Sequence, residues 1–385
     1  MLLSKEVMRE RYESARKIMK ENDLKAMFFF GDRHPGDELT GDFQYFTNTF
    51  IWYRRHCVLL FPDQEPALIS GSWIQTQNLK RWCWIDDCRI VRSDEDVFDF
   101  IVNILKEKGV TSGRVGTSLY YTSIAVSNWI KERLPDIELV EIHPEIMKLR
   151  HNPGMETRDI MRKSAAIADG AFKHALPFIR AGNTENKVRG EIDNYIYKHG
   201  GDDCFTGVSA GPYSGDASKN KSRFAWPPTA RLQVIEPGDT VVLEITPRFD
   251  GYWSQIVRYV SVGGPNPDLE ETHRYNLKAM EIIKGEIEPG RTIGSMCTAL
   301  RQKFAAFTSD YIIGHNIGHM CGLDLTDGNL LDDSEVVMTP GMGLIIHPSI
   351  LKADNTCEIF AGETYMVTET GFEELNSSEN KIYVV

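Results

Sequence analysis

The sequence predicts an α/β domain over residues 1–150 followed by an α+β domain over residues 151–385. Three observations carry this reading. Up to about residue 145, helical and strand-like segments alternate, as in a layered α/β unit. At Leu149-Arg150-His151-Asn152-Pro153-Gly154 that pattern breaks on a Pro-Gly pair. The last third is rich in short β-like runs. A length of 385 residues gives both domains room for a sizeable core.

In the first domain, an amphipathic helix over residues 4–22 leads into the apolar run Ala26-Met27-Phe28-Phe29-Phe30 and then Gly31. Strands are expected at residues 56–61, 67–70, 114–116 and 139–142, and helices near 94–108 and 122–134. Residues 31–37, with two Gly and one Pro, read as a loop. After the break, a long helix over 155–178 carries Ile160, Ala165, Ile167, Ala168 and Ala171. Its end, Ile179-Arg180-Ala181-Gly182-Asn183-Thr184, is echoed by Ile287-Glu288-Pro289-Gly290-Arg291-Thr292 as I-x-x-G-x-T. Each copy follows a helix and opens another with Thr as N-cap, which suggests a duplicated unit. Further strands are expected at 311–313, 343–346 and 364–368.

Composition narrows the classes. An apolar share of 42% and a charged share of 25% are those of an ordinary globular protein. A net charge of −12 argues against a general binder of nucleic acid or of acidic membranes. The first 22 residues mix acidic and basic side chains and do not read as a signal segment. No run approaches the ~20 apolar residues that a membrane span needs. The seven cysteines (57, 83, 88, 204, 297, 321, 357) are odd in number and lack CxxC spacing, so free thiols in a reducing cytoplasm are expected.

The stretch VVLEITPRFDGYWSQIVR (241–258) reads as two strands turning on Asp250-Gly251. It brings an acid, Glu244, near an amide, Gln255. Flanked by Leu243 and Ile245, Glu244 is expected to be buried, and therefore paired or raised in pKa, with Arg258 or His315 as its partner.

Five motifs in order, EPGDTVVLEI, GYWSQIVR, IGHNIGH, PGMGLIIHP and GETYMVTETG, resemble those of the creatinase/aminopeptidase-P family and its pita-bread fold. The resemblance covers residues 155–385 strongly, and residues 1–148 resemble the family's smaller N-terminal domain. It implies a hydrolase, and by the family's habit a homodimer acting on a small-molecule substrate. Metal-dependent members carry Asp, Asp, His, Glu and Glu as ligands of two ions. The corresponding positions here are Glu244, Gln255, His315, His347 and Gly362, with Glu363 immediately after. Two dications close together need several anionic oxygens to offset their repulsion, and this set does not supply them. Creatinase itself is metal-free, but its catalytic histidine lies upstream of the hairpin. Residues 222–231 here contain none.

The expectation is thus a metal-independent hydrolase that cleaves a C–N bond in a small amidine, amide or amine. Glu244, His315 and His347 are its acid/base groups. Gln255, Arg258, Trp226, Tyr252, His319 and Glu363 are the candidate substrate contacts. From the N-terminal domain come Arg54 and Arg55, which suit a substrate carboxylate. The alternatives are a single metal ion held by Glu244, His315 and His347, serving an Xaa-Pro-type peptidase or a lyase, and a catalytically silent binding module.

Overall fold

The computed structural model describes residues 3–31, 40–49, 54–73, 76–77, 79, 83–92, 94–213, 231–353 and 358–385. Trp226, Trp52 and Tyr53, all but the last residue of the 222–231 stretch, and most of the 31–37 loop lie outside them. The chain divides into two compact units, Met1–Gly154 and Met155–Val385.

The first unit is built on a six-stranded mixed sheet. Its strands are β1 (Leu24–Gly31), β2 (His56–Leu60), β3 (Ala67–Ser70), β4 (Asp87–Ile90), β5 (Gly113–Thr117) and β6 (Ile137–Glu141), in the order β4-β3-β2-β1-β5-β6. Helix α1 (Lys5–Glu21) starts where the Ser4 hydroxyl caps the Val7 amide. Its stripe of Met8, Tyr12, Ala15 and Met19 is buried. The Phe run of β1 is apolar throughout because both faces are covered. Phe28 packs in the cluster of Val97, Ile101, Leu105, Val126 and Ile130, from α3 (Asp94–Glu107) and α4 (Ile124–Arg133). Phe29, on the opposite face, stacks on Phe46 of α2 (Gly41–Thr47). The short α2, β4 and α5 (His143–Arg150) gave no periodic signal long enough to be expected.

Arg54 and Arg55 belong to this unit's own packing. The Arg55 guanidinium lies over the rings of Phe30 and Phe98, and Arg54 donates to the Arg92 carbonyl.

In the second unit, α6 (Met155–Ala175) and α7 (Glu185–Lys198) lie on one face of a sheet ordered β18-β10-β8-β7. Its strands are β7 (Asp203–Pro212), β8 (Asp239–Phe249), β10 (Ile256–Ser261) and β18 (Ile382–Val384), and the short β9 (Tyr252–Trp253) pairs with β8. Leu243, Ile245, Ile256 and Val260 face the helices, in a cluster with Ala168, Phe172 and Ile192. Each large side chain buried there contributes roughly 1.5–3 kcal/mol. Val242, Val257 and Tyr259 face the other way. They join a second core with α8 (Pro267–Lys284), α9 (Ile293–Phe307) and a four-stranded sheet. That sheet runs β12 (Gly318–Cys321), β13 (Gly343–Ile346), β16 (Glu363–Val367), β17 (Phe372–Glu374). A small sheet of β11 (Tyr311–Ile313), β14 (Ile350–Lys352) and β15 (Glu358–Ile359) completes the unit.

The I-x-x-G-x-T echo is structural. Gly182 and Gly290 take φ of 89° and 87°, which favours glycine. Thr184 and Thr292 cap their helices by accepting from Lys187 and Ser295 amides, both at 3.2 Å. Each Thr also forms an isolated antiparallel bridge, to Val234 and to Val337. Glu244 stands ten residues after the first of these bridge residues and His347 ten after the second. The duplication therefore places acid and imidazole at equivalent spacings from the two bridges, Glu244 within β8 and His347 just after β13.

Among the described residues no helix is long and apolar enough to cross a membrane, and the six described cysteines are free thiols.

Candidate active site

The hairpin turn is set by Asp250 and Gly251, both at positive φ (47° and 89°), as a type I′ turn requires. Phe249 pairs with Tyr252 and Arg248 with Trp253, and the same register resumes at Ile245 with Ile256. Between them Pro247 has no N–H to give, so the ladder thins there. Directly opposed residues share a face and faces alternate along a strand. Glu244 opposes Val257, so Gln255, two residues earlier, is its diagonal neighbour on that face. The Gln255 amide donates to Glu244 Oε1 at 3.1 Å. Gln255 is itself fixed through its main chain, whose N–H donates to the Thr364 hydroxyl at 2.8 Å while that hydroxyl donates to its carbonyl at 2.9 Å.

The same alternation turns two of the candidates, Arg258 and Tyr252, away from Glu244, and an ion pair engages a third, Glu363. Arg258 opposes Leu243 and Tyr252 opposes Phe249, so both point to the helix-covered face, away from Glu244. Arg258 is fully buried and pairs with Glu363 at 3.0 Å. Its guanidinium also donates to the carbonyls of Gly362 (2.7 Å) and Ser378 (2.6 Å). Glu363 in turn accepts from the Tyr365 hydroxyl. Arg258 and Glu363 are thus engaged with each other and with main chain, Tyr252 lies on the helix-covered face, and the partner of Glu244 is Gln255.

His347 follows β13 and is 3% exposed. Its ring stands edge-on to His319 (centroids 5.5 Å apart) and to Phe360 (5.9 Å). Its Nδ1 finds no hydrogen-bond partner among the described residues. His319, expected only as a loose candidate, is thus brought against His347. Its own Nδ1 lies 3.2 Å from the Met320 carbonyl. His315 is exposed on the segment before β12, and among the described residues its carbonyl accepts from Arg301. Sequence reasoning missed Phe360, Thr364 and Asn276, whose amide holds the Ala361 carbonyl at 3.0 Å. Nothing local marks them, whereas the internal duplication could have paired Glu244 with His347.

Burial governs the charges. It raises the Glu244 carboxyl to about 7, against the opposing hydrogen bond from Gln255. It lowers His347 to about 3, helped by the neighbouring His319, and lowers His319 to about 4. Near neutrality both imidazoles are uncharged, and Glu244 is divided between its acid and its anion.

The donor set does not fit a two-metal centre. Gln255 spends an N–H on Glu244, Gly362 offers no side chain, and Glu363 is committed to Arg258. Among the described residues no three His, Cys, Asp or Glu side chains group so as to hold a metal ion, and this includes Glu244, His315 and His347.

Comparison with known proteins places the geometry in context. Residues 159–369 match the model of Metallopeptidase family M24, and residues 11–151 that of the Creatinase/Prolidase N-terminal domain. The chain is 29% identical over 290 residues to an Xaa-Pro dipeptidase of Pyrococcus furiosus, covering 74% of this chain and 78% of that protein. It is 28% identical over 253 residues to an uncharacterized peptidase of Bacillus subtilis, covering 66% and 69%. In structure it superposes on an Xaa-Pro dipeptidase from Bacillus anthracis with a TM-score of 0.82, at 23% identity over 98% of this chain and 100% of that one.

Proposed function

We propose, from the premise that this chain belongs to metallopeptidase family M24, that it is a hydrolase cleaving a C–N bond in a small amide- or amidine-bearing substrate through Glu244 rather than through a pair of metal ions. One observation carries the reading. A carboxyl group with a pKa of about 7 and an uncharged imidazole, whose Nδ1 has no hydrogen-bond partner among the described residues, occupy the two positions that the internal duplication makes equivalent. A base poised near the working pH is what proton transfer needs.

In this mechanism the Glu244 carboxylate takes a proton from water as the water oxygen bonds to the substrate carbon. The same carboxyl then returns the proton to the leaving nitrogen as the C–N bond breaks. Gln255 holds Oε1 and so directs Oε2 to this task. His347 meets the carbonyl oxygen of an amide, or the second nitrogen of an amidine, with a ring nitrogen, supported edge-on by His319. His315, exposed, is the second proton carrier. The names of the relatives support peptide-like amides, Xaa-Pro dipeptides first. They also favour a second reading, a peptidase using one ion. A homodimer in the cytoplasm belongs to the proposal, and light scattering tests the dimer.

The test is turnover of dipeptides, small amides and amidines by protein dialysed against a chelator. Turnover that survives chelation is expected, with a rate that rises as pH passes through about 7, where Glu244 ionises. Activity that returns only with added zinc, manganese or cobalt transfers the assignment to the single-ion peptidase. Ligand binding without turnover makes the chain a binding module. Gln255→Leu gives a finer check. The Gln255 hydrogen bond favours the anion of Glu244, so its loss is expected to move the rising limb to higher pH. An unmoved limb means that another group titrates.

A further inference from the structure

Position 362 is glycine, and the main chain around it leaves no space for anything larger. A Cβ there would lie 1.9 Å from the Ile346 carbonyl oxygen, and 2.6 Å and 2.7 Å from His347 Cα and Cβ. The two nearest of these are main-chain atoms, which no rotamer change can move. The glycine is also pinned from the other side. Its carbonyl accepts from the Val257 amide at 2.9 Å and from Arg258 at 2.7 Å, and its N–H donates to the Val257 carbonyl at 3.3 Å. Arg258 cannot yield, because Glu363 and the Ser378 carbonyl hold it in a fully buried position. Nor can β13 retreat without loss. Ile346 pairs with Glu363, and the ladder continues to Gly343 with Met366.

We infer that Gly362 locks this site into a form that cannot receive the family's two-ion centre. The main chain of Ile346 and His347 fills the volume in which the fifth ligand's side chain would begin. The acid next along the chain, Glu363, is turned into the ion pair with Arg258 on the far side of β10. The replaced ligands are therefore not independent losses. His347 and Gly362 form a steric pair, in which the imidazole stands at one lost carboxylate and its backbone closes the place of the other. Restoring carboxylates by substitution does not restore the centre. This deepens the metal-free reading of the site, on which its functional meaning rests, while its geometry rests on packing alone.

Two variants test it. Gly362→Ala adds one methyl group against the main chain of Ile346 and His347. It is expected to lower the melting temperature of the Met155–Val385 unit by about 5 °C or more. The second variant, Glu244→Asp, Gln255→Asp, His347→Glu and Gly362→Glu together, writes the family's ligand types back. After dialysis against manganese chloride and then metal-free buffer, it is expected to give no folded protein, or folded protein with fewer than two manganese ions per chain. An unchanged melting temperature in Gly362→Ala overturns the inference, as does a folded four-site variant with two manganese ions. The proposed chemistry fails separately. If the wild-type protein loses all turnover on chelation while Gly362→Ala still melts low, the metal-free hydrolase falls and the steric lock stands.

Discussion

Replacing Glu244 by glutamine is expected to reduce turnover by roughly 10²–10⁴-fold, the range over which a positioned acid–base group typically contributes. The substitution keeps the shape and the contact with Gln255 but removes the titratable oxygen. The same variant should not lose stability at alkaline pH, and this separates a chemical role from a structural one. The Glu244 carboxyl titrates at about 7 in the folded chain, above the range of an exposed glutamate. Between those two values the unfolded chain releases a proton that the folded chain keeps, so wild-type stability falls as pH rises through that window and then levels. Glutamine carries no such charge. Its melting temperature relative to wild type should therefore improve from pH 5 to pH 8. Full activity in Glu244→Gln would remove Glu244 from the mechanism. A collapse in melting temperature at every pH would make it structural.

Arg258→Met and Glu363→Gln should each destabilise the second unit by about 3–5 kcal/mol, because either leaves a buried partner without its counter-charge or hydrogen bonds. For a unit of this size that corresponds to roughly 6–20 °C in melting temperature. Arg258 is fully buried and Glu363 2% exposed. The guanidinium also ties Gly362 to Ser378, whose amide and hydroxyl donate to the Asp169 carboxylate on α6. The double variant Arg258→Met/Glu363→Gln should recover part of the loss, since no lone charge remains. Differential scanning calorimetry of the four chains decides this. Additive losses would show that the two residues do not act as a pair. If Arg258→Met melts with wild type and instead weakens substrate binding, Arg258 belongs to the site after all.

The sequence was legible where a short-range rule sufficed. The Asp-Gly turn requires two positive φ values, so the hairpin and its register followed from residues next to each other. The two I-x-x-G-x-T copies named both helix caps correctly, because a cap is a contact between residues three apart. The Phe run of β1 and the helices over 94–108 and 122–134 carried enough periodicity to be placed within a few residues. The identities at positions 244, 255, 315, 347 and 362 already spoke against five ligands for two ions, since chemical type needs no coordinates.

What the sequence could not assign was direction. Arg258, Tyr252 and Glu363 lie within a few residues of site positions, but a strand sends neighbouring side chains to opposite faces. Which face meets the helices and which meets the second core is set by the whole sheet. His319 and Phe360 come together around His347 from separate segments, and no spacing rule links them. The raised acid of Glu244 and the uncharged imidazoles arise from burial by residues far along the chain. The sequence by itself determined the two domains, the hairpin, the duplication and the residue types at the site. Only the tertiary structure decided which of those residues face one another, and with what charge, because facing and desolvation are properties of packed layers and not of neighbours in the chain.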